Sequence, residues 1–158
     1  MYNSLIYPFL SYCIEIWGGT YSTYINALIL LQKKIVRIIT CSNRYAHTEP
    51  LFNELKLLTV KNIYHYRLLS LVYRFENERL PIIIKSLFMR NSDVHSRTTR
   101  QQYLLHLPMI KNDCMKRSFK YNMIMVYNFY KPLLNYSVKY PMFKASAKKY
   151  LLTNSLKI

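Results

Sequence analysis

Two-metal chemistry needs carboxylates close enough to share a pair of ions, and the seven acids of this 158-residue chain are not spaced that way. Asp93 and Asp113 each stand alone, no Asp-Asp pair occurs, and Glu76 with Glu78 at the end of a helical stretch read as ordinary surface acids. His95, His106 and Cys114 supply three candidate zinc ligands. Zinc sites are built from close pairs, however, and no fourth ligand lies nearby, so neither a metal nor a cofactor is expected. Serines and cysteines beside histidines lack a third orienting acid in register, which makes a hydrolase triad a weak reading. No catalytic residue is therefore assigned, and the chain on its own is not expected to be an enzyme.

What remains is cations interleaved with aromatics. Lys33, Lys34 and Arg37 fall on one helical stretch; Arg97, Arg100, Lys116, Arg117, Lys120, Tyr127 and Lys131 follow, with Lys139 and Tyr140 beyond them. Lysine and arginine neutralise phosphates, and tyrosine rings stack on unpaired bases, so these residues are candidates for holding RNA, DNA or a hybrid of the two. The competing reading is plain. With 16 tyrosines beside seven phenylalanines and one tryptophan, most tyrosines must be core or core edge, and coding in A·T-rich DNA favours the same composition.

Charge distribution tips the balance. The net charge of +16 comes from 23 Lys plus Arg against seven Asp plus Glu. It is uneven: +2 over residues 1–60, +5 over 61–110 and +9 over 111–158. A gradient of that kind favours a directed basic face and a polyanionic partner over an acidic small substrate.

Cys13, Cys41 and Cys114 are odd in number and far apart, with no C-x-x-C pair. They indicate a reducing, intracellular setting, cytoplasmic or nuclear, with Cys13 and Cys41 read as buried apolar residues. The apolar run from Leu5 to Trp17 is too short for a bilayer and contains Pro8 and Glu15, so no membrane span is expected. The first residues also lack the basic and small-residue pattern of a signal peptide.

The elements that must position these residues are helical. Leu5–Trp17 reads as a helix, or as a short extended entry followed by a helix, with Pro8 tolerated only near the first turn and Gly18-Gly19 as the stop. Thr20, Ser22 or Thr23 caps the next helix, running to about Thr40. It carries Ile25, Leu28, Ile29, Ile35, Val36 and Ile39 on one arc and Asn26, Lys33, Lys34 and Arg37 on another. Thr48–Leu55 is a short helix, and Thr59–Asn77 a long one whose apolar face is Ile63, Tyr66, Leu69, Val72 and Tyr73. Pro81–Phe88 is short again, and periodicity fades between residues 89 and 113. Lys116–Leu133 returns to helix, with Phe119, Met123, Val126, Phe129 and Tyr130 apolar, and with Tyr127 among Lys116, Arg117, Lys120 and Lys131; Pro141–Leu152 is the last helix. The fold class is thus all-α or nearly so, an irregular helical bundle with room for one short β-hairpin near 90–112. In chain order it divides into a helical core over 1–89, an irregular connector over 90–113 and a basic helical segment over 114–158, together forming one structural unit.

Certain residues also recur in a telling order: Tyr7-Pro8, Tyr12, Trp17-Gly18, Gln32-Lys33, Arg37, His47-Thr48 and Pro50-Leu51-Phe52. Leu80-Pro81, Val94-His95 with Thr99-Arg100, and Phe143-Lys144 with Tyr150-Leu151 follow them. No single motif is specific, but their order and approximate spacing resemble the thumb and post-thumb region of reverse transcriptases of non-LTR, LINE-type (jockey-like) retrotransposons, over nearly the whole chain. That resemblance implies a non-catalytic C-terminal fragment of an RNA-directed DNA polymerase, without the palm and its paired aspartates, whose role is to hold template and growing duplex by the backbone. Family members commonly carry Trp-Asn and then Leu-Pro where this chain has Tyr127-Asn128 and Lys131-Pro132. The resemblance also implies that Leu5, Ile6, Phe9 and Leu10 lack part of their cover. The alternative function is accordingly a helical protein-interaction or self-association module without nucleic-acid binding. A basic peripheral membrane protein is the third class; it would need a helix with a large polar/apolar split and exposed Trp or Phe, and burial of Trp17 would argue against it.

Overall fold

A computed structural model describes residues 1–94 and 99–153. Among them are one π-helical turn and ten α-helices, with no strand. The π turn is Tyr2–Ile6. The α-helices are α1 Tyr7–Ser11, α2 Ile14–Trp17, α3 Ser22–Ile39, α4 Thr48–Glu54, α5 Val60–Glu76, α6 Ile82–Lys85, α7 Asn91–Val94, α8 Asp113–Arg117, α9 Phe119–Tyr130 and α10 Tyr140–Thr153. The expected hairpin is reduced to a single antiparallel bridge between Arg90 and Leu105, flanked by Asn91 N–H to Leu104 O at 3.0 Å and His106 N–H to Met89 O at 2.8 Å. None of the described helices is long and apolar enough to cross a membrane.

The residues gather into two compact units, 1–67 with 147–158 and 68–146. In the first, Ile14, Ile25, Val36, Phe52, Ile63 and Leu151 are core residues. A buried polar centre joins three segments: the Gln32 amide donates to Leu58 O at 2.9 Å and to the Tyr2 hydroxyl at 2.6 Å, while its Oε1 accepts from Val60 N–H at 3.1 Å. Every hydrogen-bonding direction but one is used, so a glutamine can sit at 1% exposure without a desolvation cost. Asn62 likewise ties α5 to α10 through Leu151 O at 3.0 Å.

In the second unit the core is aromatic. Tyr73 and Tyr136 flank Phe143 at centroid distances of 4.8 and 5.2 Å, and Phe75 meets Phe88 and Tyr127 edge to face. The Asn128 side chain grips the bridge residue Leu105 twice, accepting from its N–H and donating to its carbonyl, both at 3.0 Å.

Several local expectations are corrected. The 5–17 helix is broken at Tyr12-Cys13, where Cys13 takes a left-handed φ of 49°. Cys13 and Cys41 are exposed rather than buried, because both occupy such turn positions. On α3 the cap is Tyr21, with no side-chain bond, and only Ile25, Gln32 and Val36 are fully buried, since a helix at a small unit's surface hides a narrow stripe. On α5, Tyr66 is half-buried while Tyr64, Leu68 and Phe75 are buried, as befits a helix apolar on more than one face. The 116–133 helix is two pieces, parted at Ser118, whose ψ is 146° and whose hydroxyl accepts from Tyr121 N–H to start α9.

With two glycines in the chain, helix endings fall to other residues. Cys41, Lys56 and Glu78 sit at left-handed φ of 50°, 50° and 56° just past α3, α4 and α5. Each ending is a Schellman motif, in which Ser42, Leu57 and Arg79 N–H bond back to Arg37, Phe52 and Arg74 carbonyls at 3.0, 2.9 and 2.8 Å. Gly18 serves a different end: a Cβ there would lie 2.6 Å from Ile14 O and collide with the Tyr64 ring.

Candidate nucleic-acid interface

The last two turns of α3 and the loop after it form a basic cleft of about 610 Å3, lined by Lys34, Arg37, Ile38, Cys41, Ser42, Arg44 and Tyr45. Its shape is set by the helix ending. Ser42 and Cys41 N–H close the Schellman bonds, Thr40 Oγ1 donates to Val36 O at 3.0 Å and lies 2.8 Å from Ser42 Oγ, and Asn43 accepts from Tyr45 N–H at 3.0 Å to make an Asx turn. Arg37 Nε then donates to Ala46 O at 3.0 Å, clamping the loop to the helix. A guanidinium has five donors, so this bond leaves Arg37 capacity for an anion. No carboxylate lines the cleft among the described residues, and Lys34, Arg37 and Arg44 form no ion pair there. Tyr45 is 85% exposed and Ile38 75%. Lys33, half-buried, lines a separate cavity with Thr48, Glu49 and Asn53.

The 68–146 unit treats its cations differently. Lys131 Nζ lies 2.8 Å from Glu76 Oε1 and over the rings of Tyr127 and Tyr136, at 5.1 and 5.6 Å from their centroids. Arg90 Nη2 approaches the same carboxylate oxygen at 3.7 Å, and the Tyr127 hydroxyl donates to it through a short bond. Glu76 is therefore not a surface acid; its side chain is 15% exposed. Burial alone would raise its pKa, but the bonds from Lys131 and Tyr127 and the charges of Lys131 and Arg90 outweigh burial and hold it below the usual carboxylate range. Tyr127 is fully buried, its hydroxyl pushed well above the ordinary phenol value by burial and then by Glu76. Its ring is not presented to a base, and Lys131 is engaged inward.

Of the other predicted residues, Lys116 is exposed but pairs with Asp113 at 3.4 Å, Arg117 is half-buried, and Lys120 and Arg100 are exposed. The break at Ser118 removes the single helical arc on which Lys116, Arg117, Lys120 and Lys131 were to lie. Lys139 is exposed and Tyr140 half-buried, with Lys144 4.5 Å over its ring. Arg97 and His95 lie outside the described residues. Among the described residues no group of three His, Cys, Asp or Glu side chains is placed to hold a metal.

The structure thus brings Lys34 and Arg37 together with two residues the sequence reading passed over, Arg44 and Tyr45. Their signal was an adjacent cation and aromatic just past the end of a basic helix, in a stretch read only as loop. Compared with known protein families, with curated proteins and with solved structures, the chain matches none.

Proposed function

We propose that this chain is a nucleic-acid-holding helical module, a non-catalytic C-terminal piece of a retrotransposon reverse transcriptase that grips its partner chiefly by the phosphate backbone. The observation that carries the reading is the +16 charge together with cations that form no ion pair among the described residues, above all the exposed Lys34 and Arg44 and the half-buried Arg37 between them. The polymerase origin rests on the ordered sequence motifs and is compatible with an all-α fold. The three cysteines, exposed and unpaired, fit a reducing compartment, cytoplasmic or nuclear.

The test is salt dependence. If about four phosphates are neutralised, log affinity for a labelled oligonucleotide falls with log salt at a slope near −3 to −4, the lower figure for a single strand and the higher for a duplex, with little preference among base sequences. The chain incubated with primer, RNA template, nucleotides and magnesium adds nothing above background; extension that survives repurification and depends on Asp93 would overturn the non-catalytic part.

A second reading has its own observation. Phe9, Tyr12 and Ile16 are 82%, 76% and 71% exposed, and Leu5 54%, an apolar display near the start of the chain that suits self-association. Sedimentation giving a monomer at high protein concentration would remove that reading.

A further inference from the structure

We infer that the cleft at the end of α3 seats an unpaired stretch of nucleic acid, its phosphates on Lys34, Arg37 and Arg44 and one base stacked on Tyr45; this rests on the nucleic-acid reading above and gives it a place. Cations in the last turn of a helix have an ordinary explanation, the attraction of the C-terminal carbonyls. Here that explanation falls short. The terminal carbonyls of Val36, Arg37 and Ile38 already accept bonds from Thr40, Ser42 and Cys41, and Arg44 lies beyond the helix altogether. An 85%-exposed tyrosine beside those cations, on a loop fixed by an Asx turn and by the Arg37 clamp, is the pairing of charge and ring that single strands use. A tyrosine ring has only two side-chain torsions to immobilise, so ordering it costs little. A duplex, whose bases are already stacked on one another, offers nothing to Tyr45.

The experiment measures fluorescence anisotropy of a labelled twelve-residue oligo-dT with the full chain, across a salt series. Arg44→Gln lowers the magnitude of the salt slope by about 0.7, the value of one single-strand phosphate. Tyr45→Ala weakens binding roughly 5- to 150-fold at unchanged slope, the range for loss of one stacked base, and Tyr45→Phe restores it. Both side chains are exposed, so Trp17 fluorescence and circular dichroism stay as in the parent. A parent chain with no salt-dependent binding overturns the nucleic-acid reading and this inference together. Binding that persists but ignores both substitutions overturns the cleft alone. A duplex that binds as tightly and is equally weakened by Tyr45→Ala, or thymidine monophosphate competing as well per nucleotide as the oligomer, overturns the assignment to an unpaired strand.

Discussion

The unit of residues 1–67 with 147–158 and the unit of residues 68–146 place some of their cations very differently. In the first, Lys34, Arg37 and Arg44 line a cleft with no carboxylate among the described residues, and the ion pair of Arg67 with Glu15 is loose at 3.9 Å. In the second, Glu76, Glu78 and Asp113 take up Lys131, Arg90, Lys85 and Lys116. Counting basic residues along the chain pointed to the C-terminal third, yet what matters for a polyanion is the cation left over after local acids are satisfied. Glu76 shows how strongly one acid alters that count, since its carboxylate takes up two cations and a tyrosine hydroxyl.

Acid should separate the two units most sharply. Burial first, and the charge of Lys61 second, pull His65 in the first unit down to about 4 from its ordinary value near 6.5. Between those values the unfolded chain binds a proton that the folded chain refuses. Stability therefore declines as pH falls from about 6.5 to 4, by roughly 3 kcal/mol, and levels off below. Glu76 has its folded pKa depressed, so its contribution is present above the ordinary carboxylate range and is lost only at lower pH. Urea unfolding followed by Trp17 should show the earlier decline, and His65→Gln should flatten it; a stability profile unchanged between pH 7 and 4.5 would contradict the burial argument.

Breaking the second unit's own pairing comes next in size. Glu76→Gln leaves Lys131 and Arg90 without their carboxylate, and the partly exposed site limits the loss to about 2 kcal/mol. Replacing Lys131 by Met in the same chain should recover part of it, because an apolar side chain beside Tyr127 and Tyr136 needs no partner. Losses that simply add in the double variant would mean the two groups do not interact.

The smallest effect bears on the helix endings common to both units. Lys56→Gly in the first and Glu78→Gly in the second remove a left-handed non-glycine residue at a Schellman position and should each stabilise the chain by about 1 kcal/mol. The gain at Glu78 is trimmed by a few tenths through loss of the exposed pair with Lys85. Thermal unfolding of the two variants checks this, and a lowered midpoint in both would show that the side chains matter more than the backbone strain.

Helical periodicity was legible in three of the longer helices. Val60–Glu76 and Tyr140–Thr153 lie within a residue or so of the spans read from apolar spacing, and Ser22–Ile39 begins among the three caps considered and ends one residue short of Thr40. Apolar recurrence and proline position act locally, within a turn, so a sequence displays them directly. Lys34 and Arg37 were legible for the same reason.

The remaining features depend on residues far apart in the chain. Tyr127 and Lys131 looked like a binding pair until Glu76, 51 residues before Tyr127, proved to be their common partner. Whether a cation is free is set by the acids that folding brings near it, and no spacing rule encodes that. The helix endings at Cys41, Lys56 and Glu78 were equally hidden, because without glycine at those positions the left-handed turn has no compositional mark and is held by backbone bonds alone. Arg44 and Tyr45 join Lys34 and Arg37 in one cleft only through that turn and the Arg37 bond to Ala46, which fold the loop against the end of α3.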